Sequence, residues 1–135
     1  MSYRIEDIEG IGPAYAKKLA VAGVRTTRDL LKHCASRKGR KVVAEKTGVS
    51  EKHLLTWANL ADLMRISGIA TQFSELLEAA GVDTVKELRN RNANNLVAKM
   101  QEINAAKKLT RRIPSLSVVE AWVESARKLE PVITH

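Results

Sequence analysis

The chain repeats itself. Displaced by 58 positions, residues 8–30 fall on residues 66–88 with nine of the 23 positions identical. Ile8, Gly10, Ile11, Leu19, Ala22, Gly23, Val24, Thr26 and Leu30 meet Ile66, Gly68, Ile69, Leu77, Ala80, Gly81, Val82, Thr84 and Leu88. Where identity lapses the apolar pattern persists, with Tyr15 on Phe73 and Ile5 on Leu63. At an offset of 65, Ser50, Leu54, Trp57, Ala58, Ala61 and Met64 meet Ser115, Val119, Trp122, Val123, Ala126 and Leu129. The second copy is therefore seven residues longer between Leu88 and Ser115. A fold for this chain must build the same local structure twice.

Helix signals dominate, and no stretch alternates β-branched residues with period two, so the expected fold class is all-α. Gly12-Pro13 opens a helix with proline at its first position, and Gly23 ends it. Thr26-x-x-Asp29 resembles a capping box, Thr84-x-x-Glu87 is a full one by pattern, and Ser117-x-x-Glu120 is another. A helix over about 39–47 stops at Gly48, and Ser50 caps a longer one through Met64. Pro114 starts the last helical unit and Pro131 stops it. Tyr15, Phe73, Trp57 and Trp122 lie on the apolar stripes of their helices, which marks them as core and argues against an exposed stacking platform for single-stranded bases.

A chain of 135 residues suits one compact body. Hydrophobic residues at 44% and charged residues at 28% give a globular composition whose apolar runs are too short to span a membrane. Arg4 and Glu6 place charge where a secretory signal needs an apolar run, so a cytoplasmic location is expected. Cys34 stands alone, which excludes an intramolecular disulfide and a cysteine-based zinc cluster. No linker rich in proline, glycine or serine divides the copies. The expected organisation is two subdomains, 1–64 and 65–135, packed as one unit and sharing the helix that links them, because Leu63 to Ile66 occupy in the second copy the place of Ile5 to Ile8 in the first.

Ile8-Glu9-Gly10-Ile11-Gly12, followed by the helix from Pro13 to Leu19, resembles a helix-hairpin-helix motif. Glycines at 10 and 12 permit tight backbone conformations and remove side chains that would hold a phosphate away. The amides of such a turn sit at a helix N-terminus, where free N–H donors and the helix dipole favour an anion. Lys17 and Lys18, one turn on, add positive charge. With Ala22-Gly23-Val24 and a second hairpin at Thr47 to Lys52, one whole copy resembles the paired-hairpin domain at the N-terminus of recombinases. The doubled arrangement is similar to an uncharacterised family of small bacterial proteins with two such units. The resemblance implies a grip on the nucleic-acid backbone without base readout, and duplex DNA in preference to RNA. In the second copy Gly12, Pro13, Lys17 and Lys18 become Ala70, Thr71, Glu75 and Leu76, so a phosphate there would meet a carboxylate.

Lys and Arg total 23 against 15 Asp and Glu, a net charge of +8 that favours polyanionic partners. Residues 1–63 carry 12 basic and 7 acidic side chains, net +5, which leaves +3 for the remainder. Arg37-Lys38-Gly39-Arg40-Lys41 and Lys107-Lys108 with Arg111-Arg112 concentrate the excess near a loop or helix start, where cations oppose the dipole. The plainer reading is a solvated face with salt bridges to Glu45 or Glu102.

No catalytic constellation assembles. His33 and Cys34 are adjacent, and neighbours on a helix point about 100° apart. His33 and His53 lack the spacing of a metal site, and the Gly-x-Gly-x-x-Gly pattern fails at Tyr15, so neither metal nor cofactor is expected. The sequence thus predicts a non-enzymatic protein that binds the nucleic-acid backbone through Gly10, Ile11 and Gly12, with charge from Lys17, Lys18, Arg37, Lys38, Arg40 and Lys41. The alternatives are a protein-interaction adaptor, or an accessory subunit of a repair or recombination assembly in which the hairpins are structural.

Overall fold

The computed structural model describes residues 2–135. A 3-10 turn at Ile5–Asp7 precedes α1 (Pro13–Val21), α2 (Thr27–Cys34), α3 (Arg37–Thr47) and α4 (Glu51–Leu63). The second half follows as α5 (Thr71–Ala79), α6 (Val85–Leu88), α7 (Ala93–Lys107) and α8 (Leu116–Lys128). The described residues form no β-strand, only an isolated bridge between Arg4 and Thr26, and the fold is all-α.

The halves repeat each other's turns. Ile8 N–H donates to the Ile5 carbonyl and Ile11 N–H to Ile8; Ile66 N–H donates to Leu63 and Ile69 N–H to Ile66, each at 3.1 Å. Between these bonds Gly10 and Gly68 stand at φ +93° and +94°, where a side chain is strained. A second matched turn ends α1 and α5, where Val24 N–H reaches Leu19 (3.0 Å) and Val82 N–H reaches Leu77 (2.8 Å) around Gly23 and Gly81. Each half has its own core. Leu19, Leu30, Leu54 and Trp57 centre the first, and Leu77, Leu88, Val119 and Trp122 the second. Burial of a leucine in either cluster contributes about 2 kcal/mol relative to exposure. Helix α4 serves both, since Ala61 packs into the first cluster and Leu63 into the second.

Helix starts follow the caps, with three corrections. Thr26 and Asp29 form a complete box: Asp29 N–H donates to the Thr26 hydroxyl (3.1 Å) and Thr26 N–H to the Asp29 carboxylate (3.2 Å). Thr84 accepts from Glu87 N–H (3.3 Å), but Arg91 engages the Glu87 carboxylate at 2.9 Å, so that box stays half-made. The last helix is capped by Ser115, not Ser117; Ser115 holds the extended conformation of a cap, and Ser117, inside the first turn, meets its hydroxyl at 3.1 Å. Likewise α3 begins at Arg37, two residues earlier than expected, because the Ser36 hydroxyl accepts from Gly39 N–H (3.0 Å).

The extra length of the second half lies in a longer α7 and in the loop to α8. Asn104 clasps that loop, donating to the Thr110 carbonyl (3.0 Å) and accepting from its N–H (2.9 Å). After α8 the chain returns to the first half. Ile133 packs on the first core, Thr134 N–H donates to the Ala35 carbonyl (2.9 Å), and Arg40 donates to the Thr134 carbonyl (2.6 Å).

Gly39 lies inside α3, yet a Cβ there would stand 2.2 Å from the His33 carbonyl oxygen. Helices α2 and α3 therefore meet more closely than any side chain at 39 permits. Alanine normally favours a helix interior over glycine by about 1 kcal/mol. At this position the sign reverses: Gly39→Ala is expected to lower stability by about 1–3 kcal/mol, the range of overpacked sites, read as a lower urea midpoint at unchanged slope.

Candidate nucleic-acid interface

Gly12 is the N-cap of α1 in extended conformation (φ −85°, ψ −175°), and no side chain caps the helix. Among the described residues the amides of Gly12, Ala14 and Tyr15 have no acceptor within the protein. They are the orphan donors of a helix start. Ile11 is different. Its N–H is spent on the Ile8 carbonyl and its side chain is only 4% exposed, so it anchors the turn in the core and is removed from the candidate contacts.

Aromatic side chains brace this helix end. Trp57 lies under Gly10, its Nε1 3.3 Å from where a Cβ at Gly10 would be. His53 stacks on Trp57 at 5.3 Å, and Tyr15 meets Trp57 edge-on at 5.0 Å. The Lys18 ammonium stands 5.7 Å from the centre of the Tyr15 ring. Lys17 faces another way, into a hollow it shares with Arg25 and with Arg4, which pairs there with Glu6 at 3.4 Å. The two lysines thus flank α1 on different sides.

The basic run at α3 divides as well. Arg37, Lys38 and Lys41 are exposed, whereas Arg40 is 3% exposed and donates to the carbonyls of Cys34, Ala35 and Thr134 at 2.6–3.0 Å. Arg40 is a buried tie between α2, α3 and the C-terminal segment, and it too leaves the candidate set. None of Arg37, Lys38 and Lys41 forms an ion pair among the described residues, so the expected bridge to Glu45 is not made. Lys38 is joined by Lys32 and Lys46 around one hollow, which sequence reasoning missed. Arg4 and Arg25 beside Lys17 were missed also. The second cluster sits otherwise than expected: Lys107 is the last residue of α7 and Lys108 its C-cap, where cations match the helix dipole. Glu102 is engaged by Lys99 at 4.0 Å.

At the corresponding turn of the second half, Ala70 is an equally uncapped N-cap. The Thr71 hydroxyl donates to the Asp7 carbonyl, which brings the start of α5 against the first half. Burial, and the nearby Glu9 carboxylate, push the Glu75 carboxyl above its ordinary range; burial, Asp83 and Glu75 do the same to Glu78. This helix start is built for a different electrostatic environment.

Residues 9–129 match a family described as a domain of unknown function, DUF4332. The chain belongs to the DUF4332 family. No solved structure matches it. The match runs from Glu9, inside the first turn, to Leu129, past the end of α8. The DUF4332 unit is thus the doubled arrangement and not one copy. Among its described residues no helix is long and apolar enough to cross a membrane, and no group of three His, Cys, Asp or Glu could hold a metal ion.

Two outcomes follow for the titratable groups of this DUF4332 chain. Cys34 is fully buried and burial pushes its thiol up to about 11. At pH 8 it is expected to react with a disulfide reagent about a hundredfold slower than free cysteine, and at the ordinary rate once guanidinium unfolds the chain. Ionised Glu75 costs stability at neutral pH because its folded pKa is raised. Glu75→Gln should therefore melt higher than wild type at pH 7, and the two should converge as pH falls through the raised value toward the unfolded one, about 4.3.

Proposed function

We propose that each half is a helix-hairpin-helix unit, similar to the paired-hairpin domain of recombinases, and that the first unit binds the backbone of duplex DNA without sequence preference and without catalysis. The observation that carries this reading is the uncapped start of α1. Three amides without acceptors, at Gly12, Ala14 and Tyr15, stand behind a glycine turn with Lys17 and Lys18 one turn on. A phosphate oxygen at this end receives N–H donors and the positive end of the dipole together. Lys17, Lys18, Arg37, Lys38 and Lys41, with Arg25 beside Lys17, supply charge on both flanks. Such contacts position a backbone and carry no base information.

The second unit supports the assignment by contrast. Its start presents Glu75 where the first has Lys17, and a carboxylate one turn from the amides repels the same ligand. The proposed role of that unit is structural, as the partner against which the first is fixed.

The test is fluorescence anisotropy of a random-sequence duplex of about 20 base pairs in about 50 mM salt, where phosphate contacts are strongest. Binding that weakens steeply with added salt is expected. The double variant Lys17→Glu, Lys18→Glu should lose at least about tenfold in affinity with an unchanged melting temperature, since two attractive charges become repulsive. Absence of binding by the wild-type chain at low salt would overturn the proposal.

A further inference from the structure

The face formed where α2 meets α3 combines features that a phosphate site does not need. Lys38, Val42 and Lys46 follow one another at intervals of four along α3, so they form one stripe with a rise of about 6 Å between neighbours. Lys32 and His33 of α2 face the stripe across a hollow of about 330 Å³, and no acidic side chain lines it. Val42 is 42% exposed at its centre, and Val21, at the end of α1 next to the lining residue Ala22, is 75% exposed. Neither Lys32, Lys38 nor Lys46 forms an ion pair among the described residues. The corresponding hollow in the second half, lined by Ala80, Asn90, Arg91 and Lys99, has its two cations paired, Arg91 with Glu87 at 2.9 Å and Lys99 with Glu102 at 4.0 Å.

We infer that this groove docks a short acidic, amphipathic segment of a protein partner, with an aliphatic side chain seated on Val42 and carboxylates one turn to either side on Lys38 and Lys46. The complementarity is both electrostatic and apolar. A helix that presents carboxylate, aliphatic and carboxylate at intervals of four matches the lysine, valine and lysine of α3 in spacing and sign. Nucleic acid would use the lysines and leave Val42 exposed, and so accounts for the charge of the surface alone. Close contact of Gly39 with the His33 carbonyl holds the two walls of the groove at a fixed distance, so the surface is formed before the partner arrives. The groove lies beyond the far end of α1, away from its free amides, and shares only Lys38 with the proposed DNA contacts.

The probe is a synthetic twelve-residue peptide with Glu, Leu and Glu at intervals of four, titrated into the full isotope-labelled chain and followed by amide chemical shifts. Expected are shifts confined to residues 21–22, 32–33 and 36–46, with a Kd on the order of 100 μM, as suits a small transient contact. A peptide with Leu replaced by Ser should bind at least about fivefold more weakly, as should Val42→Ser and the pair Lys38→Glu, Lys46→Glu, each at unchanged melting temperature, for the loss of one buried aliphatic group or of two charge pairs. Lys17→Glu, Lys18→Glu should leave peptide affinity unaltered, which separates this result from the test of DNA binding. Equal affinity for the Ser peptide would reduce the groove to a charge patch and overturn the inference. So would shifts elsewhere or no binding.

Discussion

Each half of the molecule is organised by one contact, a tryptophan pressed against a glycine. The Nε1 atom of Trp57 lies 3.3 Å from the place where a Cβ at Gly10 would be, and that of Trp122 lies 3.2 Å from the same place at Gly68. Both glycines also hold a positive φ that other residues rarely adopt. The contact joins the last helix of each half to its first turn, across about 50 residues of sequence, and closes the half into a unit. Removal of the indole would leave the turn without a floor. A side chain at the glycine would lift the turn off the indole. The direction in which α1 and α5 start, and hence where their free amides face, follows from this seat.

What the sequence disclosed is what local chemistry decides. Glycines at the turns, threonine and serine caps, and apolar spacing each act within a few residues, so the all-α fold and the buried faces of its helices were legible. The site was legible in part. Gly12, Lys17, Lys18, Arg37, Lys38 and Lys41 stand exposed as expected, while Ile11 and Arg40 do not. Nothing local marks Arg40 among its basic neighbours. Its seat is made by the Cys34 and Ala35 carbonyls and by Thr134, which is 94 residues away, and only the folded chain brings these together. Burial penalises a guanidinium charge unless its donors are satisfied, and three carbonyls satisfy them here. Lys32 and Lys46 escaped notice for a similar reason, since they meet only when α2 and α3 close on each other. The half-made box at Thr84 reflects a competition that pattern alone does not weigh: Glu87 has Arg91 one turn ahead, and the ion pair takes the carboxylate that the cap would have used.

Duplication also created a problem that the second half solves with charge. In the first half Thr27 N–H donates to the Tyr3 carbonyl at 2.9 Å, an acceptor offered by extended chain. The counterpart of Tyr3 is Ala61, which lies inside α4, where carbonyls are directed along the helix axis. The equivalent amide, that of Val85, is instead taken by the Asp62 carboxylate at 2.8 Å, and that side chain is 1% exposed. A buried carboxylate needs compensation, and Arg65 supplies it at 2.7 Å. Arg65 also donates to the Glu130 carbonyl at 3.0 Å, at the point where the chain leaves α8 for the first half.

A connected path therefore runs from the Val85 amide through Asp62 and Arg65 to Glu130, and along the chain to Thr134 and Arg40. Its members are polar groups, yet their work is to join the two halves, and none is left for a ligand. Arg40 and Arg65 are thereby subtracted from the surface charge, which makes the sequence's excess of cations an overestimate of what a partner meets. What remains exposed is not spread evenly. It gathers beside Lys17 and along α3 in the first half, and at Lys107, Lys108, Arg111 and Arg112 behind α7 in the second. The same union of halves that uses up two arginines also fixes the α2–α3 corner through the Arg40 tie. The surface cations of α3 are consequently presented by a corner held at both ends, and their spacing is a property of the fold.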